Sequence, residues 1–374
     1  MRKSALCWFG LVVTALVALG LIVLSSASEA NAIRLHHGDS LFFLKRQFIY
    51  LAIALVLGLF AAVFDYHRWR DYPILAWLLY IAVIALLAGV FYFKEINGSH
   101  RWIILGPVRL QPSELAKITI VIVLAVWLDR LNWHVEQFKA GALLPAVFIG
   151  IIALPILREP DFGSVMVIGL VGFLVMFVAG VRILHMLPFI ILGSGVVAYK
   201  VLTNTNRVQR LFDENKLYQV KMALAAIGNA NIWGAGFGES MQKHLYLPEA
   251  HTDFVFAVGA EELGIIFSVG VMLLFIAFFA LSIYIARNAS DRFGRFLVIG
   301  MGFIIFFQAV FNMGVVCKAL PTKGMALPFF SYGGTNLISS FIAVGIIFSV
   351  GLHSYRSKQS FLGRKVLSRG KNNG

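Results

Sequence analysis

Apolar runs alternate with short polar breaks along almost the whole chain. Runs near 5–24, 47–64, 73–93, 113–129, 141–157, 164–181, 184–202, 256–285, 294–317 and 336–354 are each long enough to read as a membrane-spanning helix. The pattern predicts an all-α integral membrane protein of about ten transmembrane helices, with one large extracytoplasmic loop over 203–252. Arg2 and Lys3 precede the first run, and Ser25 to Ala32 follow it in a form that resembles a signal-peptide cleavage region. At about 20 residues the run itself is long enough to span, so it reads as the first helix. Pro145, Pro155 and Pro188 fall inside runs, which lipid tolerates only where neighbouring helices satisfy the freed backbone groups. The glutamates Glu261 and Glu262 delay the lipid-exposed part of the eighth run, so 253–262 reads as a half-buried approach and the two carboxylates as solvated or bundle-facing structural groups.

Composition agrees. Of 374 residues, 59% are hydrophobic and 13% charged, with a mean hydropathy of +0.83. Soluble domains carry about 25% charged residues. The net charge of +14 points to basic loops on anionic headgroups, since no nucleic-acid motif accompanies it. Cys7 and Cys317 both lie in apolar runs and read as small core residues. An even number of spans puts both termini on one face. Lys and Arg are nearly balanced between faces until the long 200–255 segment is set aside; the excess then falls with the termini, which makes that face cytoplasmic. Two regions result: a polytopic membrane domain over 1–355 and a basic tail over 356–374, expected to be a disordered cytoplasmic arm.

Ionisable residues at a membrane edge are costly and call for an explanation. They collect in four places, all on the predicted outer face. Around Arg101 and the run Gln111 to Lys117, Glu114 and Lys117 are three apart on one helix face. They read either as a structural ion pair or as groups facing an anionic ligand together with Arg101. Arg158 and Asp161 bracket a tight turn, where Asp161 caps the next helix or lines a site. The outer segment offers Arg207 and Arg210 as phosphate contacts or headgroup anchors, and Gly234, Gly236 and Gly238 as turn formers. It ends at Leu247 to Phe254. There Asp253 is either a helix cap or a general base whose proton affinity is raised at a partly desolvated edge. Glu249, His251 and Asp253 would converge on a metal only from an extended strand, so no permanent metal is expected. The fourth place is the loop Lys318 to Thr335. Its prolines, glycines and aromatics predict a rigid, folded wall that carries Lys323 and Ser331. Asn312, in the preceding span, needs a partner.

In this order, these motifs resemble the SEDS family of bacterial cell-wall proteins (shape, elongation, division and sporulation), which includes FtsW and RodA. The carrying residues are Arg101-Trp102-Ile103, Gln111-Pro112-Ser113-Glu114-Leu115-Ala116-Lys117, Pro160-Asp161-Phe162-Gly163, Leu247 to Phe254 with Glu261-Glu262-Leu263-Gly264, Leu320 to Gly324, and Ser331-Tyr332-Gly333-Gly334. The form of 246–253 is closer to the FtsW branch. Lys318, Thr335-Asn336 and Gly259-Ala260 depart from the family's usual residues. The resemblance implies a glycosyltransferase that polymerises lipid II at the outer face of the bacterial cytoplasmic membrane. Asp253 would be the catalytic carboxylate. Arg101, Glu114 and Lys117 would bind substrate, and Arg158, Asp161, Arg207, Arg210, Glu249, His251, Lys323 and Ser331 would contribute to the same site. It also implies a class B penicillin-binding transpeptidase as partner, alongside divisome or elongasome proteins. No cofactor is required beyond a transient divalent cation, Mg or Mn. Two other functions fit the same charges: a lipid II flippase, and a non-catalytic scaffold for the transpeptidase.

Overall fold

The computed structural model describes residues 3–35, 39–93, 95, 99–105, 108–159, 161–202, 214–228, 230–241, 250–320 and 324–371. Among them the helices are α1 (Lys3–Leu35), α2 (Phe42–Val63), α3 (His67–Asp71), α4 (Pro73–Gly89), α5 (Pro112–Leu131), α6 (Leu144–Arg158), α7 (Phe162–Ala179), α8 (Ile183–Leu202), α9 (Glu214–Gly228), α10 (Val255–Arg287), α11 (Arg292–Val316) and α12 (Gly334–Lys371). Eight are long and apolar enough to cross a membrane. The other two expected spans are α5, loaded with Glu114, Lys117, Asp129 and Arg130, and α8, whose apolar part covers Ile183–Tyr199. Each predicted span thus has its helix, and the chain is a multi-span membrane protein.

One small departure from all-α lies before α5. Strands β1 (Ile103–Leu105) and β2 (Val108–Leu110) pair antiparallel, with Ile103 opposite Leu110 and Ile104 opposite Arg109. Three residues per strand are too few for an alternating pattern to show in the sequence. The hairpin matters because Thr335 fastens it. The Thr335 hydroxyl donates to the Arg109 carbonyl (2.9 Å) and accepts from the Gln111 N–H (3.0 Å), tying β2 to the start of α12.

Helix α5 is the hub. It is buried on nearly all sides, against α4, α6, α7, α11 and α12. This is why it can carry charge at membrane depth: its neighbours are protein, not lipid. Helix α12 packs chiefly along α2, and α10 along α11 and α1. Close approach needs small residues at the contact. A Cβ on Gly345 would meet the Gly58 carbonyl oxygen of α2. Helix α12 stays helical through Lys371, over the stretch expected to be a disordered arm.

Helix α10 is broken at Gly264 (φ 79°, ψ −171°). Val255 to Glu262 are buried in the bundle, whereas Ile265 and Ile266 face outward, so the half-buried approach ends at this break. The orphaned backbone groups are met by residues 231–236. Ala235 and Gly236 N–H donate to the Glu261 and Glu262 carbonyls (2.9 and 3.1 Å), and Ile265 N–H donates to the Asn231 carbonyl (3.2 Å). Gly234, Gly236 and Gly238 have positive φ and form the tight turns their spacing suggests. Glu261 and Glu262 are buried structural acceptors, bonded by Ser240 and, at Glu262, by Ser26 (2.6 Å). The cysteines differ from expectation. Both are free and exposed, because the outer surface of a membrane bundle is itself apolar.

Candidate active site

The loop before α12 folds into the protein. Phe329 takes φ 68°, its ring packs against Phe278 and Phe341, and the Phe330 ring packs against Phe267 and Phe275. A Cβ on Gly20, in the middle of α1, would strike the Phe329 carbonyl oxygen. Non-helical backbone at that depth is tolerated here because protein surrounds it. The Ser331 hydroxyl accepts the Leu327 N–H (2.7 Å) and locks the turn. Asn312 of α11 then staples the loop to the start of α10, donating to the Met325 carbonyl (2.7 Å) and the Asp253 carbonyl (2.8 Å).

A polar cavity of about 350 Å³ opens between this loop, α5, the hairpin and the turns before α7 and α10. It is lined by Arg101, Glu114, Lys117, Asp161 and Asp253, with Gly324, Tyr332 and Asn336 from the loop side. All four separated constellations contribute. Glu114 and Lys117 form an ion pair of 2.7 Å with both side chains buried. Asn336 and Ser339 of α12 each donate to the other Glu114 oxygen at 3.3 Å. Lys117 therefore stands beside the cavity with its ion-pair partner in place.

Asp161 is the N-cap of α7, as its position in the turn suggests. Its Oδ2 also accepts from Ser164 Oγ (2.7 Å), Ser113 Oγ (3.1 Å) and Gln111 Nε2 (3.3 Å). Burial works against its charge, but Arg101, the Ser164 hydrogen bond and Lys117 outweigh that and hold the carboxyl below its ordinary value. Arg101 Nε donates to the Glu159 carbonyl (3.1 Å), which fixes the guanidinium at the rim. Glu159 itself is buried, with neither carboxylate oxygen hydrogen-bonded among the described residues. Burial and the nearby Asp161 charge, against Arg101, push its carboxyl up to about 8.

Asp253 sits in the turn ahead of α10. The N-cap position of that helix is Phe254, one residue after Asp253. Its carboxylate packs on the backbone of Gly324, where any Cβ would collide with Oδ2.

Residues 6–356 match the family model of the FtsW/RodA/SpoVE cell cycle proteins. This chain belongs to that family. The protein named probable peptidoglycan glycosyltransferase FtsW of Geobacter metallireducens is 37% identical over 350 residues, covering 91% of this chain and 92% of the relative. The protein of the same name from Coxiella burnetii is 36% identical over 358 residues, covering 92% and 95%. Among solved structures, a chain of a peptidoglycan synthase complex that coordinates polymerization and crosslinking superposes with a TM-score of 0.72 at 29% identity. It covers 93% of this chain and 97% of that one. The rod shape determining protein RodA of Thermus thermophilus gives 0.68 at 29% identity, over 93% and 96%.

Within this FtsW/RodA/SpoVE frame, some expected site residues stand elsewhere. Arg158 is exposed at the end of α6, outside the cavity lining. The His251 ring lies against Phe43 (4.5 Å between centroids) and Tyr332 (5.8 Å), and its carbonyl accepts the Tyr332 N–H, so it supports the wall rather than lining the cavity. Ser331 is a buried turn lock. Arg207, Arg210, Glu249 and Lys323 lie outside the described residues. Gly324, Ser339 and Glu159 are not among the site residues expected from the sequence, and Asn336 stands out there only as a departure from the family's usual residues. A signal existed for Asn336 and Ser339, as polar positions three apart at the start of an apolar run.

Proposed function

We propose that this peptidoglycan glycosyltransferase polymerises lipid II at the outer face of the bacterial cytoplasmic membrane, with both termini in the cytoplasm and a class B penicillin-binding transpeptidase as its working partner. The observation that carries the reading is one polar cavity uniting a carboxylate, Asp253, with two fixed cations, Arg101 and Lys117. Asp253 takes the proton from the acceptor sugar's 4-hydroxyl as that oxygen attacks the donor's anomeric carbon. The C–O bond to undecaprenyl pyrophosphate breaks, with inversion. Arg101 and Lys117 stabilise the charge that develops on the leaving pyrophosphate.

The other two cavity carboxylates are engaged: Glu114 by Lys117, Asn336 and Ser339, and Asp161 by two serines and Gln111. Asp253, which lines the same cavity from the turn ahead of α10, is the carboxylate to which we assign the base role. Mg²⁺ is commonly held by one or two carboxylates plus substrate phosphates. Asp253 would supply the protein's share of such a set, and the ion would add charge neutralisation at the pyrophosphate. Relatives that bear the FtsW name favour a division role.

The test is polymer formation from purified lipid II by the chain with its transpeptidase. Asp253→Asn and Asp253→Ala are expected to abolish polymer while the complex still assembles. Polymer made at the unmodified rate by a correctly inserted variant overturns the assignment.

A further inference from the structure

At the end of the bundle opposite the cavity, four polar side chains meet that the polymerase chemistry does not use. Helix α12 lines the cavity at Asn336 and reaches His353 ~26 Å further along its axis. There His353 meets Asp65 and His67, from the junction of α2 and α3, and His67 in turn meets Asp291, the N-cap of α11. The candidate ligand atoms of Asp65, His67 and His353 all lie within 4.8 Å of one another.

The orientation of the two imidazoles is the informative feature. His353 donates from Nδ1 to the Ser349 carbonyl (2.9 Å), which turns Nε2 toward Asp65 Oδ1 at 3.5 Å. His67 places Nε2 against Asp291 Oδ2 (2.9 Å) and Nδ1 against the same Asp65 Oδ1 (2.7 Å). Each ring is therefore anchored through one nitrogen by an oxygen acceptor and presents the other to a single carboxylate oxygen. Metal-ligating histidines characteristically have this outer support from a carbonyl or a carboxylate. A neutral imidazole has one N–H. The two nitrogens turned toward Asp65 face one carboxylate oxygen, Oδ1, which also accepts the His67 backbone N–H (3.0 Å). A hydrogen bond answers the 2.7 Å contact alone; one divalent ion would engage both nitrogens at once. Tetrahedral zinc with bonds of ~2.0–2.1 Å sets its donor atoms ~3.3 Å apart, a separation bracketed by the observed 2.7 and 3.5 Å. The side chains of His67, His353 and Asp65 are 25%, 25% and 43% exposed, which leaves an entry path and room for a water ligand.

We propose that Asp65, His67 and His353 form a binding site for a divalent transition-metal ion of the zinc type, with Asp291 and the Ser349 carbonyl orienting the two imidazoles. The ion would fasten the lower end of α12 to the α2–α3 junction and, through Asp291, to the start of α11. Those elements hold Phe64, Tyr66 and Trp69 at the mouth of an apolar groove of about 420 Å³ between α2, α4, α5 and α12. The site is independent of the polymerase assignment and survives its failure.

The test uses the full chain in detergent, carrying a histidine-free affinity tag and stripped with a chelator. Zinc affinity is measured by competition with a fluorescent zinc chelator, and Co²⁺ is added separately to read its visible absorption. One zinc per chain is expected, with a Co²⁺ spectrum of low coordination number and a zinc-dependent rise in melting temperature. His353→Ala and Asp65→Asn should each weaken zinc at least tenfold and remove the Co²⁺ bands, while His185→Ala leaves both unchanged. Asp291→Asn, which keeps all three ligands, should weaken zinc ~10–100-fold. A wild-type chain that binds zinc no better than His353→Ala, or an Asp65→Asn chain with full affinity, overturns the proposal. The wild-type Co²⁺ spectrum needs no variant, so an octahedral, water-like spectrum overturns it even if the variants fail to fold.

Discussion

At Asp253 the position of one carboxylate depends on a missing side chain. Gly324 presents bare backbone to Oδ2, and a methyl group there would occupy the carboxylate's place. The aspartate can swing aside, so the cost falls on geometry rather than on folding. Gly324→Ala is expected to slow lipid II polymerisation ~10–100-fold, since displacing a reacting group by about 1 Å costs on that scale. Its melting temperature in detergent should stay close to that of the unmodified chain. Full activity in Gly324→Ala would show that the carboxylate's present position is not the working one. Neighbouring residues carry the opposite lesson. Ser331 and His251 look as chemically able as Asp253 in the sequence, yet a turn lock and an aromatic contact absorb them.

At the scale of elements, α5 and α12 are joined by charge rather than by apolar packing alone. Lys117 pairs with Glu114 within α5, and Asn336 and Ser339 of α12 complete the carboxylate's bonds. Removing one member leaves a buried, uncompensated charge, which costs ~3–5 kcal/mol, whereas removing both costs much less. Lys117→Met should therefore lower thermal stability sharply, and Glu114→Gln combined with Lys117→Met should recover a large part of the loss. Unfolding monitored by tryptophan fluorescence in detergent reads both. Equal losses in the single and double variants would mean that the pair is not what holds these helices. The broken α10 shows a second device. The loop 230–236 supplies the backbone partners that the break at Gly264 would otherwise leave unmet.

Across the whole molecule, one buried group should leave a signature in the pH dependence of stability. Glu159 has its carboxyl pushed up to about 8 from an ordinary value of 4.5. The folded state thus keeps a proton that the unfolded chain gives up first. The sign follows: from pH 4.5 to about 8, raising the pH costs stability, and the loss levels off once the folded state also ionises. Glu159→Gln cannot ionise and should flatten that decline. Melting temperatures measured from pH 5.5 to 8.5 should converge for the two chains at the acid end and separate at the alkaline end, with the glutamine variant the more stable. Parallel curves would place the charged form of Glu159 in the fold.

Hydropathy along the chain is a local property, and it was enough to locate ten spans and the half-buried approach to α10. The motif residues are likewise local, and their order marked the family and the four polar constellations. Several decisions needed tertiary structure. Whether a polar atom is available for chemistry depends on which distant atom bonds it: Asn336 and Ser339 take one oxygen of Glu114, Ser164 and Ser113 share Asp161, and Phe43 covers His251. Likewise, Asp65 and His353, at opposite ends of the sequence, meet only because α2 and α12 pack side by side. Spacing in sequence reports neighbours one or two turns away; partners hundreds of residues apart are chosen by helix packing.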